Sequence, residues 1–215
     1  STSLQIHTTT IHTQLRDISA RYIVKEGNAE LRDLRTALLG GRMNGHFTMK
    51  DITGAQVWEL QATLHNIALA SIQALVNPQA MRDLRLTGTA NANLNARWRK
   101  TFDTLTARTD AKAAGTAISR QATIPVTADV HAVYSAGAQT VSFSQSQIRS
   151  GQTTIDLNGT VSRTASLEVQ AQSKDLSEIE TLANAFGARP EPLGLGGAAT
   201  FTGTVRGSTA NPQIT

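Results

Sequence analysis

The sequence predicts an all-β protein: an elongated, mostly antiparallel, curled sheet of about a dozen strands with two short amphipathic helices. Three observations carry this. Apolar and polar residues alternate with period two through most of the 215 residues, which gives each strand one greasy and one wet face. Turn residues break the alternation at short intervals, so neighbouring strands run antiparallel. The composition is 40% hydrophobic but only 4% aromatic and 17% charged, below the roughly 25% charged of an ordinary domain. The wet faces must then be built from Thr, Ser, Asn and Gln. That mixture suits wide solvated sheets better than a helical enzyme.

Along the chain, the first breaks fall at "KEGN" (25–28) and "LGGR" (39–42). Trp58, Leu60, Ala62 and Leu64 then alternate with Glu59, Gln61, Thr63 and His65. "IALASIQALVNP" puts Ile72, Leu75 and Val76 at helical spacing, and Asn77-Pro78 stops the run, predicting a helix over 67–76. A long ribbon follows, "DLRLTGTANANLNARW" (83–98). Its even positions run from Leu84 and Leu86 to Leu94 and Trp98 and are all non-polar; its odd positions, Asp83 to Arg97, are all polar. Val126, Ala128, Val130, Ala132 and Tyr134 form another apolar face, closed by "SAGA" (135–138). Val141 and Phe143 follow, then the turn "RSGQ" (149–152). Ile155, Leu157, Gly159 and Val161 share one parity, and so do Leu167, Val169 and Ala171. "KDLSEIETLANAFGARP" (174–190) predicts the second helix, near Leu176 to Phe186. Asp175 caps it, Glu178 stands three residues on, Gly187 suits the C′ position and Pro190 follows.

The two helices sit in matching surroundings. "WELQATLHNIAL" precedes the first and "SLEVQAQSKDL" the second; "MRDLRLTGTANANL" and "PLGLGGAATFTGTV" follow them. Leu60 matches Leu167, Ile72 matches Ile179, and Gly88 matches Gly197. A strand, helix, strand order repeated at an offset of 107 to 109 residues argues for a stacked architecture of two units, 1–110 and 111–215 with an approximate boundary, in one continuous sheet.

The stretch "LSEIETLANAFGARPEPLGLGGAATFTGTVRGSTANPQIT" resembles the AsmA/TamB family of bacterial envelope proteins. "NIALASIQALVNPQAMRDLRLTGTANANL" is similar to a looser copy of the same pattern, and the two cover essentially the whole chain. The resemblance implies a half-pipe, or β-taco, with a hydrophobic inner groove. It implies a protein anchored in the inner membrane and extending through the periplasm of a Gram-negative-type bacterium. It further implies movement of phospholipid to the outer membrane and, for TamB, assembly of outer-membrane proteins. By that likeness the chain is an internal or C-terminal-side piece of a longer protein.

Physical chemistry supports the groove independently. A dozen strands at about 4.8 Å spacing extend a trough by roughly 55 Å. A lipid with two acyl chains hides about 30 methylenes, worth some 24 kcal/mol at about 0.8 each. A continuous apolar trough removes most of that barrier to transfer through water. Strand parity selects the expected groove lining: Leu60, Leu64, Leu84, Leu86, Leu94, Trp98, Val141, Phe143, Ile155, Leu157, Val161, Leu167 and Val169. The competing interpretation of the same alternation is half of a closed sandwich core. Two other functions remain open: a scaffold that pairs strands of an outer-membrane β-barrel protein, and a structural β-solenoid.

Other chemistries find little in the sequence. There are no cysteines, hence neither disulfides nor thiolate metal sites. The net charge is +4, but basic residues do not cluster beyond "RWRK" (97–100), which argues against nucleic acid. "GLGGAA" (194–199) fits a dinucleotide fingerprint but is followed by an alternating strand, where the motif needs a helix. His7 and His12 are expected on opposite faces of one strand, and no histidine has a partner at zinc-site spacing. Acidic residues are scattered singly, and no nucleophile elbow is present. The expectation is a non-enzymatic module without cofactor or metal.

Overall fold

The computed structural model describes residues 3–7, 12–76, 85–118, 123–185, 194–208 and 211–214. Its strands are β1 (Ser3–His7), β2 (His12–Lys25), β3 (Asn28–Leu38), β4 (Gly41–Lys50) and β5 (Val57–Ala68). Helix α1 (Leu69–Val76) leads to β6 (Arg85–Arg99), β7 (Thr101–Ile118), β8 (Thr123–Ser135), β9 (Thr140–Ser150), β10 (Thr153–Val161) and β11 (Thr164–Ser173). Helix α2 (Leu176–Ala185) precedes β12 (Ala199–Ser208) and β13 (Asn211–Ile214). All thirteen strands form one open, curled sheet, in sequence order and antiparallel throughout. β7 runs straight through the expected, approximate unit boundary at 110/111.

Where no helix intervenes, connections of one to six residues force this order, because they cannot cross over to a distant strand. Both helices sit at the same end of the sheet, each between two strands that pair with one another: α1 between β5 and β6, α2 between β11 and β12. This end is the helix rim. The other end, where β4 turns into β5 and β6 into β7, is the turn rim. The first helix starts two residues later than expected. Ile67 and Ala68 extend β5, because Ile67 pairs with Ala90 and is only 3% exposed. The second helix matches the expectation from Leu176, with Ser177 N–H donating to the Asp175 carboxylate at 3.0 Å. Its expected C-terminal stop at Gly187 and Pro190 lies outside the described residues.

A sheet of this length must bend to curl, and bulges supply the bends. The β5–β6 register shifts between Leu64 and Ile67, where Asn66 takes φ +53°. The β8–β9 and β9–β10 registers both shift around Gln145, at φ +49°. A bulge releases a backbone N–H from the ladder, and that donor needs a new acceptor. The neighbouring strand provides one each time. Asn66 N–H donates to the Asn91 side chain at 3.0 Å, and Gln145 N–H to the Asn158 side chain at 2.6 Å. Ser146 repairs the same bulge from within, accepting from His131 N–H at 3.0 Å. These asparagines are poor strand formers by propensity, and their place in the bulges explains why the strands hold them.

At the helix rim the rows of the sheet are small. Gly88 faces Gly115, and a side chain on either would collide with the opposite backbone. Leu69 of α1 reaches over Gly115. Beside it Ala117 is 3% exposed, packed by Leu86 and Val126. Under α2 the rim is hydroxylic: Ser150, Thr153 and Ser173 are buried, and Thr153 Oγ1 lies 2.9 Å from Ser173 Oγ. The Glu178 carboxylate accepts from Ser150 Oγ at 2.7 Å and Gln152 N–H at 2.6 Å, tying α2 to the sheet.

Candidate functional site: an apolar face without a cover

Directly paired residues in an antiparallel ladder lie on the same face, so the registers can be followed from strand to strand. Leu31 pairs with Phe47, Phe47 with Leu60, Leu60 with Ala96 and Ala96 with Ala107. The row continues through Tyr134, Val141, Val161 and Ala165. A second row runs Leu64, Ala92, Ala111, Val130. It resumes across the bulge at Leu157, Val169 and Gly203. A third links Leu94, Thr109, Ala132, Phe143, Gly159, Leu167 and Val205. Along these rows, from β3 to β12, no charged side chain occurs.

The charges are on the other face. Glu59 lies between Lys50 at 3.4 Å and Arg97 at 3.5 Å. Arg32 pairs with Glu30 at 2.7 Å, and Arg21 with Asp33. The Asp110, Asp129 and His131 cluster was not legible in sequence, because β7 and β8 bring it together. His131 Nδ1 lies 2.6 Å from Asp110 Oδ1, and its Nε2 lies 3.5 Å from Asp129 Oδ1. The hydrogen bond from His131 holds the Asp110 carboxyl below its usual range, aided by Arg108. Lys112 approaches Asp129 at 3.4 Å. This is an open ion-pair network of modest energetic worth, and among the described residues no group of acids and histidines is arranged to hold a metal.

The expected groove residues fall as follows. Leu60, Leu64, Leu94, Trp98, Val141, Phe143, Ile155, Leu157, Val161, Leu167 and Val169 all share the uncharged face, and each is half-buried. Leu86 shares the face but sits at the helix rim against Ala117, beneath α1, where its N–H donates to the Gln73 side chain at 2.9 Å. Leu84 lies outside the described residues. His7 and His12 require a correction: they belong to two strands, β1 and β2, and are direct partners in that ladder. They do not lie on one strand.

Half-burial is the informative property. In a closed sandwich the inward residues of a central strand are buried by the second sheet. Here one sheet holds every described strand, and among the described residues the buried apolar ones are few: Met43, Ala62, Ile67, Ala90 and Ala117. Tyr22 stays 78% exposed and Phe102 68%. A half-open hollow of about 1230 Å³ lies elsewhere, around the polar residues Arg35, Arg42, His46 and His65. A trough open along its length encloses little volume, so cavity size does not locate it.

The turn rim carries an aromatic cluster. Trp58 and Trp98 are cross-strand partners whose rings stack at 5.9 Å and 6°. Phe47 packs on both, at 5.5 and 6.0 Å, and Phe102 stacks on Trp98 at 5.1 Å. Sequence parity found Trp98 as lining but missed the cluster, because Phe47 and Phe102 lie in different strands. Among the described residues, no helix is long and apolar enough to cross a membrane. No family model, curated protein or solved structure matches the chain.

Proposed function

We propose that this chain is a segment of an AsmA/TamB-like conduit that holds phospholipid acyl chains against its apolar face. It would work in the periplasm, as part of an inner-membrane-anchored protein, and serve phospholipid transport for outer-membrane biogenesis. The observation that carries the proposal is the uncharged face, continuous from β3 to β12, with its large residues half-buried and no second layer over them among the described residues. Exposed apolar patches beyond a few hundred Å² mark binding surfaces. The ten strands from β3 to β12, at about 4.8 Å spacing, give this one a length of about 43 Å. An acyl chain is the occupant such a surface suits, since it offers only apolar area and asks for no hydrogen bond in return.

The test is lipid extraction from the chain purified out of a Gram-negative host, followed by mass spectrometry. Phospholipid at a reproducible stoichiometry supports the proposal. Its absence, in a protein whose circular dichroism shows an intact sheet, rejects it. A second reading rests on the open sheet, whose outermost strands β1 and β13 each pair on one side only. Such edges can accept a strand from another chain, as a scaffold for outer-membrane β-barrel proteins would require. That role gives no reason for an uncharged face through the middle of the sheet, and the lipid reading does.

A further inference from the structure

We infer that a bound phospholipid has a fixed orientation in the trough: its acyl chains run toward the helix rim, and its glycerol–phosphate end lies at the aromatic rim, where Trp58 donates a hydrogen bond to it. This rests on the lipid-holding proposal above. The Tyr and Trp side chains are not scattered over the apolar face, whereas Phe143 and Phe201 lie farther in. Tyr22, Phe47 and Tyr134 fall in one row across the sheet, traced through Leu31, Leu60, Ala96 and Ala107. Trp58 and Trp98 form the next row toward the turn rim, with Phe102 stacked outside them. Four rows inward from the tryptophans the same face is aliphatic from Ile67 through Ala90, Ala113 and Ala128 to Ile148, Ile155 and Ala171, and ends on Phe201.

Such a gradient sorts an amphipathic ligand. Trp and Tyr combine an apolar ring with a polar tip and collect where hydrocarbon meets head groups. Aliphatic rows offer only apolar contact. A separate observation points to the same rim: the Trp58 indole N–H is enclosed and has no acceptor among the described residues. A buried donor left unpaired is costly, and an ester or phosphate oxygen lodged beside the ring would satisfy it. The opposite rim disfavours that end of the lipid. Leu69 and the Glu178 carboxylate already occupy its small-residue row, and the carboxylate repels phosphate.

The sequence has two tryptophans, Trp58 and Trp98, and both report from the proposed head-group end. The experiment loads the protein with phosphatidylcholine carrying a nitroxide either on the head group or at the acyl terminus, and measures tryptophan quenching. Phosphorus assay counts bound lipid independently. The head-group label should quench more strongly at equal occupancy. Trp58→Phe, which keeps a ring but loses the donor, should weaken binding about threefold to tenfold, and Trp98→Phe should weaken it less. Stronger quenching from the acyl terminus, or unchanged affinity in Trp58→Phe, would overturn the orientation while leaving lipid holding intact. Absence of bound phosphorus would instead overturn lipid holding, and the orientation with it.

Discussion

The two rims of this sheet solve opposite packing problems with the same chain. At the helix rim the sheet offers Gly88, Gly115, Ser150 and Ser173, and helices lie close over it. At the turn rim it offers Trp58, Trp98, Phe47 and Phe102, and no other element of the described chain covers them. Small residues let a helix approach the backbone closely; large ones fill space themselves and leave their outer surface available. The size of the side chain at each row thus sets which rim is closed and which stays open.

The comparison breaks first at its closed end. Gly88→Val adds a side chain where the opposite backbone leaves no room, at φ +109°. The expected loss is about 3 kcal/mol or more, read from urea unfolding. Ile67→Ala, at a residue 3% exposed, should cost about 2–5 kcal/mol. At the open end, Phe102→Ala should cost under about 1.5 kcal/mol, mostly its stacking on Trp98. If Phe102→Ala matched Ile67→Ala, the turn rim would be core and the contrast would fail. In the bends between the rims, Asn91→Ala strips the acceptor from the Asn66 bulge and should cost about 1–3 kcal/mol. Asn93→Ala, one strand position pair along, has no bulge to serve and should cost less.

The smallest effect is the dependence on acid. Asp33 is held below its usual range by the Arg21 hydrogen bond and charge, and Asp110 by the hydrogen bond from His131. A lowered folded-state pKa contributes stability above the unfolded value of about 3.9, lost as pH falls through the folded value. Both groups are open to solvent, so the melting temperature should decline only gently below about pH 4. A sharp acid transition would indicate a buried ionic core that the charged face lacks.

Much of this architecture was legible in the sequence because period two is a local signal. The face assignment of Leu60, Leu94, Leu157 and Val169 needed only parity within each strand. The bulges were not legible. Asn66 and Gln145 shift the parity inside their strands, and their partners Asn91 and Asn158 look like ordinary wet-face residues until the register is known. The aromatic rim and the Asp110–His131–Asp129 cluster were hidden for the same reason, since each is assembled across strands. The closed end was masked by its small residues. A glycine facing a glycine has no hydropathic signature, and Leu86 reads as groove until α1 is seen above it.

The central claim is that lipid touches one face and not the other, and site-specific photo-crosslinking measures that directly. A photoreactive residue placed at Leu94 or Leu157 reports on the uncharged face; one at Asn93, next to Leu94 in β6, or at Glu168 in β11, the strand paired with β10, reports on the wet face. After irradiation in cells, the account predicts phospholipid adducts by mass spectrometry at Leu94 and Leu157 and none at Asn93 or Glu168. Equal adducts from both faces, or adducts from neither while the protein accumulates normally, would contradict it.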